Sequence, residues 1–228
     1  MVSIGLVTGL DYKDPSLDPH YEFQRYKLHP KIRSYIEGGK MLHYGAKSLP
    51  EGGLYSMPKL YGDGFLICGD AGGFLNGMRL KGIHLAIRSG MLAAETIFEG
   101  LKNDVAFDEA QTQKYDENFR VDWSHTELHA ARNFHQGFHG GRIAGLLGAA
   151  FNVLFGGKGF LFRDKLKTRA GHEYMQSLAD YHGGAKPARP KLAEDGVLTF
   201  DKLTDVYSSG TEHEEDQPCH LVVENLDV

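Results

Sequence analysis

Apolar residues recur at helical spacing through the middle of the chain. From about Gly82 to Leu101 the spacing predicts one long helix. Its predicted buried stripe consists of Ile83, Ala86, Ile87, Gly90, Ala94, Ile97, Phe98 and Leu101. A second helical stretch is predicted from about Asp108 to His135. It places Tyr115, Phe119, Trp123 and Leu128 among charged neighbours.

The first forty residues show a different pattern. Val2, Ile4 and Leu6 alternate with other residues, which predicts an opening strand that ends near Gly9. A helix is predicted to begin at Asp18, as the N-cap before a proline, and to end near residue 30. A short helix is expected over residues 31–36.

The paired glycines Gly38 and Gly39 then predict a turn, because glycine permits unusual backbone angles and close approach of a ligand. The bland alternative is a simple turn that ends the preceding helix.

The run from Phe65 to Cys68 is short and apolar, which predicts a buried strand and a buried cysteine. A glycine-rich stretch, residues 69–76, leads from this strand to the long helix. Such a turn can bring a backbone close to a cofactor, and Asp70 could accept hydrogen bonds from the polyol chain of a flavin. Unpaired N–H groups near Lys81, Gly82 and Ile83 would favour an anionic flavin ring. An ordinary strand-to-helix turn with Asp70 as a local cap fits the same pattern.

Residues 143–157 form an apolar segment that only Asn152 interrupts. A helix of this length would measure about 22 Å, against about 30 Å for a bilayer core. With Arg142 and Lys158 at its ends, the segment is expected to enter one face of a membrane without crossing it. A buried core helix is the alternative.

Composition excludes several classes of protein. The 228 residues carry a net charge of −5 without a basic block, so nucleic acid is not expected as a partner. The two cysteines, Cys68 and Cys219, are far apart and do not indicate a disulfide scaffold. The histidine pairs His125 with His129 and His135 with His139 lack the carboxylate of a familiar zinc motif, so no metal site is predicted in this chain.

Several segments together resemble electron transfer flavoprotein:ubiquinone oxidoreductases, in the order of that family and over nearly the whole chain. They are residues 5–12 (GLVTGLDY), 22–25 (EFQR), 37–40 (EGGK), 44–46 (YGA), 58–60 (PKL), 81–84 (KGIH), 89–95 (SGMLAAE) and 209–218 (SGTEHEEDQP).

The resemblance implies an enzyme that passes electrons from electron transfer flavoprotein, through FAD and a [4Fe–4S] cluster, to ubiquinone in the membrane. It implies FAD binding by Gly69, Asp70, Gly82 and Ile83. Ubiquinone is expected at the backbone of Gly38 and Gly39. The implied location is a monotopic one, on a bacterial cytoplasmic membrane or the mitochondrial inner membrane.

Two features limit what the resemblance implies. The chain has no Gly-x-Gly-x-x-Gly turn for a dinucleotide pyrophosphate, which in the family precedes the region present here. A [4Fe–4S] cluster normally needs four thiolates, so its ligands are expected beyond Val228, and Cys219 is expected to be an ordinary thiol.

The expected architecture is therefore a mixed α/β (α+β) fragment of a flavoprotein. It divides into a ubiquinone-binding region (1–60), the end of an FAD domain with its following helices (61–135), a membrane-contacting segment (136–165) and a tail leading to an absent ferredoxin-like domain (166–228). Two alternatives stay open. One is a flavin reductase of the geranylgeranyl reductase type, and the other is a truncated, non-catalytic module that contacts quinone or lipid.

Overall fold

The computed structural model describes residues 1–185 and 187–217. The chain forms two compact units. The first unit combines Met1–Lys47 with the segment from Ala170 onward, and the second is Ser48–Arg169. The four-part division expected from sequence stays a prediction.

Helices dominate the described residues, and a single two-stranded antiparallel sheet accompanies them. The helices are α1 (Pro19–Lys27), α2 (Pro30–Ile36), α3 (Ile83–Lys102), α4 (Glu109–Val121), α5 (Trp123–Ala130), α6 (Phe134–Gly137), α7 (Arg142–Leu154), α8 (Leu178–His182) and α9 (Lys202–Ser208). The strands are β1 (Tyr61–Gly62) and β2 (Phe65–Leu66). Short 3₁₀ turns cover Leu54–Ser56, Gly69–Gly72, Phe138–Gly140, Phe160–Phe162 and Gly171–Tyr174. This content is mixed α and β, as predicted.

Helix α1 begins where the sequence predicts. The Asp18 carboxylate accepts hydrogen bonds from the backbone N–H groups of His20 and Tyr21, and Pro19 occupies the first turn. These contacts satisfy two N–H groups that have no partner inside the helix. The short helix expected over residues 31–36 is also present, as α2.

One predicted strand is wrong, and a second is shorter and more exposed than predicted. Residues 1–9 form no strand, because the described part of the chain offers them no pairing partner. The run that starts at Phe65 pairs over only two residues, and Phe65 is 51% exposed. Cys68 is exposed as well, so the prediction of a buried strand cysteine is wrong.

The core of the second unit lies between α3 and α4. Leu85 and Leu92 of α3 pack with Tyr115 and Phe119 of α4 and with Phe74. The rings of Phe74 and Phe119 meet edge to face, with centroids 4.9 Å apart.

The predicted buried stripe of α3 is the wrong face of that helix. Its buried residues are Leu85, Ser89, Leu92, Ala93, Thr96 and Gly100. Ile83, Ile87 and Phe98 of the predicted stripe are 80%, 61% and 68% exposed. The helix itself was predicted correctly. The spacing of its apolar residues does not identify which side of the helix packs against the core.

Helices α6 and α7 approach closely through glycine. A Cβ atom on Gly148 would lie 3.3 Å from the Cα of Gly137, and one on Gly145 would collide with the ring of Phe138. The small residues of α7 therefore face the protein. Within the described residues, no helix is both long and apolar enough to span a membrane.

Candidate functional site

Hydrogen bonds hold the turn at Gly69 and Asp70 against the first two turns of α3. The Gly69 N–H donates to the Ser89 hydroxyl at 2.8 Å, and that hydroxyl donates to the carbonyl of Ala86 at 2.7 Å. Ser89 is fully buried. Gly69 has φ of 69°, a left-handed conformation that glycine adopts without strain.

Gly82 lies against the same turn. A Cβ atom at this position would come within 2.8 Å of Leu75 Cδ1 and 3.2 Å of Asp70 Oδ1. The space is therefore available only to glycine, and the exposed Asp70 carboxylate lies beside the start of the helix. The structure thus brings together the predicted FAD residues Gly69, Asp70, Gly82 and Ile83.

The first turn of α3 carries no side-chain cap among the described residues, and it contains no acidic side chain. Its N–H groups thus keep the partial positive charge of a helix N-terminus. Leu80 lies two residues before Gly82, the N-cap of α3, and its φ of 52° is unusual for a side chain of this size. A helix start of this kind can stabilise negative charge on a group that lies against it.

An open groove of about 370 Å³ runs along the exposed side of α3. Its lining residues are His84, Ile87, Arg88, Met91 and Trp123. The His84 ring stacks on Trp123 at 6.0 Å, and its Nε2 lies 3.0 Å from a Glu127 carboxylate oxygen. The groove begins at His84, the residue next to Ile83.

The predicted quinone turn follows α2. Gly38 has φ of 77° and has no atom within 4 Å of its missing Cβ position. The Gly39 N–H already donates to the carbonyl of Ile36 at 3.0 Å. Among the described residues, the N–H of Gly38 has no acceptor, so it is available to one from outside the chain.

The predicted membrane segment presents an apolar surface to solvent. Its most exposed residues are Ile143 (79%), Leu146 (66%), Leu147 (69%), Val153 (63%), Leu154 (76%), Phe160 (66%), Leu161 (67%) and Phe162 (59%). Soluble monomers rarely expose continuous apolar patches of this kind without an interaction partner. The alternative of a buried core helix does not describe α7, whose buried residues are Gly145 and Asn152 alone among those described.

Comparison with known proteins identifies the family. A model described as "ETF-QO, ubiquinone-binding" matches residues 1–49, and one described as "Electron transfer flavoprotein-ubiquinone oxidoreductase, 4Fe-4S" matches residues 196–228. The mitochondrial electron transfer flavoprotein-ubiquinone oxidoreductase of Caenorhabditis elegans is 42% identical over 99% of this chain and 37% of its own length. The human enzyme of that name is 39% identical over 98% of the chain and 36% of its own length. A probable one from Saccharomyces cerevisiae is 36% identical over the whole chain and 38% of its own length.

Over nearly its whole length, the chain is similar to part of the electron transfer flavoprotein-ubiquinone oxidoreductases. It spans less than two fifths of the length of these relatives. The sequence-based recognition of this family is confirmed.

The 4Fe-4S match begins within the segment predicted to lead into a ferredoxin-like domain. The whole chain contains two cysteines, fewer than the four thiolates that a [4Fe–4S] cluster normally needs. The residues present therefore do not form a complete cluster site. Cys219 lies outside the described residues, and the placement of the ligands beyond Val228 stays a prediction.

Sequence reasoning missed a buried polar network that holds the apolar segment of this oxidoreductase-family chain. Arg132 is 2% exposed and donates to Asp164 Oδ1 at 2.8 Å and to the carbonyl of Gly156 at 2.8 Å. Asn133 donates to the carbonyl of Gly157 and accepts from the N–H of Leu166. No local pattern identifies these residues, because their partners lie 24 to 33 positions further along the chain.

His125 and His129 both lie on α5, whereas His135 lies on α6 and His139 in the 3₁₀ turn that follows it. The rings of His125 and His129 stack at 6.0 Å, and those of His135 and His139 meet edge to face at 5.7 Å. Burial, and then the neighbouring His129, lowers the pKa of His125, and burial with Arg132 lowers the pKa of His129. Among the described residues, no group of three or more His, Cys, Asp or Glu side chains could hold a metal ion.

Proposed function

We propose that this chain forms part of an oxidoreductase that takes electrons from electron transfer flavoprotein and delivers them to ubiquinone through FAD and a [4Fe–4S] cluster. The observation that carries the proposal is the similarity to named oxidoreductases along 98% or more of the chain. The ubiquinone-binding and 4Fe-4S matches fall on the two ends of the chain, and all but residues 48 and 49 of them belong to the first compact unit. The geranylgeranyl reductase alternative has no support from these matches.

The FAD-binding part of the proposal rests on the start of α3. FAD, when bound, supplies the redox chemistry of accepting and releasing electrons. The backbone of Gly82 and Ile83 would approach the flavin ring, and the uncapped helix start would favour negative charge there. Asp70 would accept hydrogen bonds from the hydroxyl groups of the polyol chain. Gly69 would hold the turn in place through its bond to Ser89.

The quinone part of the proposal rests on the turn after α2. A quinone carbonyl needs one hydrogen-bond donor within a mostly apolar pocket. The N–H of Gly38 would be that donor, and no side chain at Gly38 obstructs the approach. The turn itself is exposed, so the proposal places the apolar surroundings of the quinone in the membrane. Gly39 would contribute by allowing the ring to lie against the backbone, because its own N–H is already bonded to Ile36.

The membrane part of the proposal rests on α7 and the following loop. The exposed apolar residues would enter the interface of a bilayer, and Arg142 and Lys158 would reach the headgroups. Quinone is a membrane-soluble substrate, so such a surface suits its delivery. The relatives are named as mitochondrial, which favours the mitochondrial inner membrane.

Two paired substitutions test the cofactor and quinone parts of the proposal on the purified 228-residue chain in detergent. Gly82→Ala is expected to abolish FAD retention, whereas Gly90→Ala, in the same helix with open space around it, is not. Gly38→Ala is expected to weaken binding of ubiquinone-1 about tenfold. Gly64→Ala, at φ of 73° with open space, is the matched control.

Flotation with phosphatidylcholine–cardiolipin vesicles tests the membrane surface. The double variant Leu146→Gln, Leu147→Gln is expected to lose flotation, whereas Val121→Gln, at an apolar position 87% exposed outside the segment, keeps it. A wild-type chain that does not bind ubiquinone-1 would contradict the proposal, and one that does not float with the vesicles would contradict its membrane part. Binding of quinone and vesicles without any retention of FAD would support the non-catalytic module instead.

A further inference from the structure

A buried carboxylate joins the two segments that match different family models. Asp205 of α9, in the 4Fe-4S match, is 1% exposed. Its Oδ2 lies 2.8 Å from His20 Nε2 and accepts from Gln24 Nε2 at 2.8 Å. Both partners belong to α1, in the ubiquinone-binding match. Asp205, His20 and Gln24 are called the Asp205 cluster below.

The cluster is attached to the 4Fe-4S match at a second point. Gln24 is 2% exposed, and its Oε1 accepts a hydrogen bond from the Phe200 N–H at 3.1 Å. One side chain of α1 therefore bonds both to α9 and to the backbone just before it. Asp205 Oδ1 is buried and has no hydrogen-bond partner among the described residues, so the side-chain hydrogen bonds of this buried carboxylate all run through Oδ2.

The segment with the quinone turn is also held on its other side. The Tyr44 N–H donates to the carbonyl of Ser208, the last residue of α9, at 3.2 Å. The Tyr44 ring meets the His20 ring edge to face at 6.4 Å. Gly38 and Gly39 lie between these two attachments, so α9 restrains the chain before and after the turn.

Charged groups around the cluster add further contacts between α1 and the segment that contains α9. Lys27 is 6% exposed, and its ammonium lies 5.3 Å from the ring centroid of Phe23 and 4.9 Å from that of Phe200. Burial lowers the pKa of Lys27, and the charges of Asp205 and Asp195 oppose that effect. Lys202 pairs with Asp18 at 2.8 Å on the surface.

We propose that Asp205 is a positioning residue through which the 4Fe-4S segment sets the geometry of the quinone turn. The proposal rests on the proposed function and deepens it. It assigns to α9 an indirect role in quinone binding, through the position of α1 and Tyr44. Loss of the Asp205 charge releases α1 and Tyr44 together, and the turn between them loses its fixed conformation. Quinone affinity then falls although Gly38 is unchanged.

The test measures ubiquinone-1 affinity and amide hydrogen exchange on the 228-residue chain in detergent. Asp205→Asn is expected to weaken ubiquinone-1 about tenfold, the loss typical of a bond to a buried charged group, and to speed exchange in α1. His20→Gln, which retains a donor to Asp205, is expected to stay within about twofold of wild type. The matched control is Glu212→Gln, which removes an exposed negative charge within the same 4Fe-4S match.

The outcomes separate this inference from the proposed function. A wild-type chain that does not bind ubiquinone-1 contradicts the proposed function of this chain. Wild-type affinity in Asp205→Asn, with faster exchange in α1, overturns the positioning role alone. If Asp205→Asn does not fold, the affinity of His20→Leu tests the inference instead. This variant removes one of the two partners of Asp205 Oδ2 and leaves Gln24. Unchanged affinity in His20→Leu overturns the inference, and a fall of about threefold or more supports it.

Discussion

The guanidinium of Arg132 lies 2.8 Å from the Asp164 carboxylate, although Arg132 is only 2% exposed and Asp164 is 67% exposed. The pair reaches from the end of α5 to the loop that follows the apolar segment. Arg132 also donates to the carbonyls of His129 and Gly156. It is therefore a buried connection between the core of the second unit and the proposed membrane surface.

Removal of Arg132 is expected to destabilise the second unit. Arg132→Gln should lower its free energy of unfolding by about 2–4 kcal/mol, because several hydrogen bonds and a buried side chain are lost at once. The fluorescence of Trp123, the single tryptophan, reports urea unfolding of this unit. Arg163→Gln, an exposed arginine in the same loop, should change stability by less than about 0.5 kcal/mol. Equal effects of the two variants would contradict the role of Arg132.

Gly157 is expected to tolerate no side chain. Its φ is 88°, and a Cβ atom would lie 2.6 Å from the His129 carbonyl and 2.7 Å from that of Ala130. Gly157→Ala combines backbone strain with these collisions, so we expect a loss of more than about 2 kcal/mol. Gly156→Ala, at φ of 60° with open space, isolates the strain and should cost about 1 kcal/mol. Urea unfolding by Trp123 fluorescence measures both, and a smaller loss in Gly157→Ala would show that the loop moves.

Local signals predicted local structure well. Asp18 and Pro19 identified the start of α1, because a capping carboxylate and a first-turn proline act within one turn. The glycine turn and the helix start at Gly82 were also placed together correctly. These features depend on neighbours within a few residues.

Features that depend on distant partners were not predictable. The buried side of α3 follows from its contacts with α4, and two apolar stripes on one helix give no sign of which one packs. The bond from Gln24 to Asp205 joins residues 181 positions apart. No periodicity reveals such a pair, and only the fold brings it together.

Acid is expected to weaken the first unit through Asp14. A hydrogen bond from the Ser16 hydroxyl is the main cause that lowers the pKa of Asp14 to about 2, and His182 contributes. Because the folded pKa lies below the ordinary value of 3.8, the stabilisation is complete above about pH 4 and is lost as pH falls toward 2. The urea midpoint of unfolding, measured by circular dichroism, should therefore fall less in Asp14→Asn than in wild type between pH 6 and pH 2.5. Asp11→Asn, an exposed acid in the same unit, should leave that fall unchanged.

Ser89 is expected to link the stability of α3 to flavin binding. Its buried hydroxyl accepts from the Gly69 N–H and donates to the Ala86 carbonyl, so Ser89→Ala leaves the Gly69 N–H without its acceptor. We expect a cost of about 1–2 kcal/mol and weaker FAD retention, because the turn that carries Asp70 is released. Thr96→Val is the matched control: Thr96 is equally buried, but its hydroxyl donates within the helix to Leu92 and does not contact the turn. Both variants should lose stability, and only Ser89→Ala should lose flavin. Equal retention of FAD by the two variants would show that the turn at Gly69 does not position the cofactor.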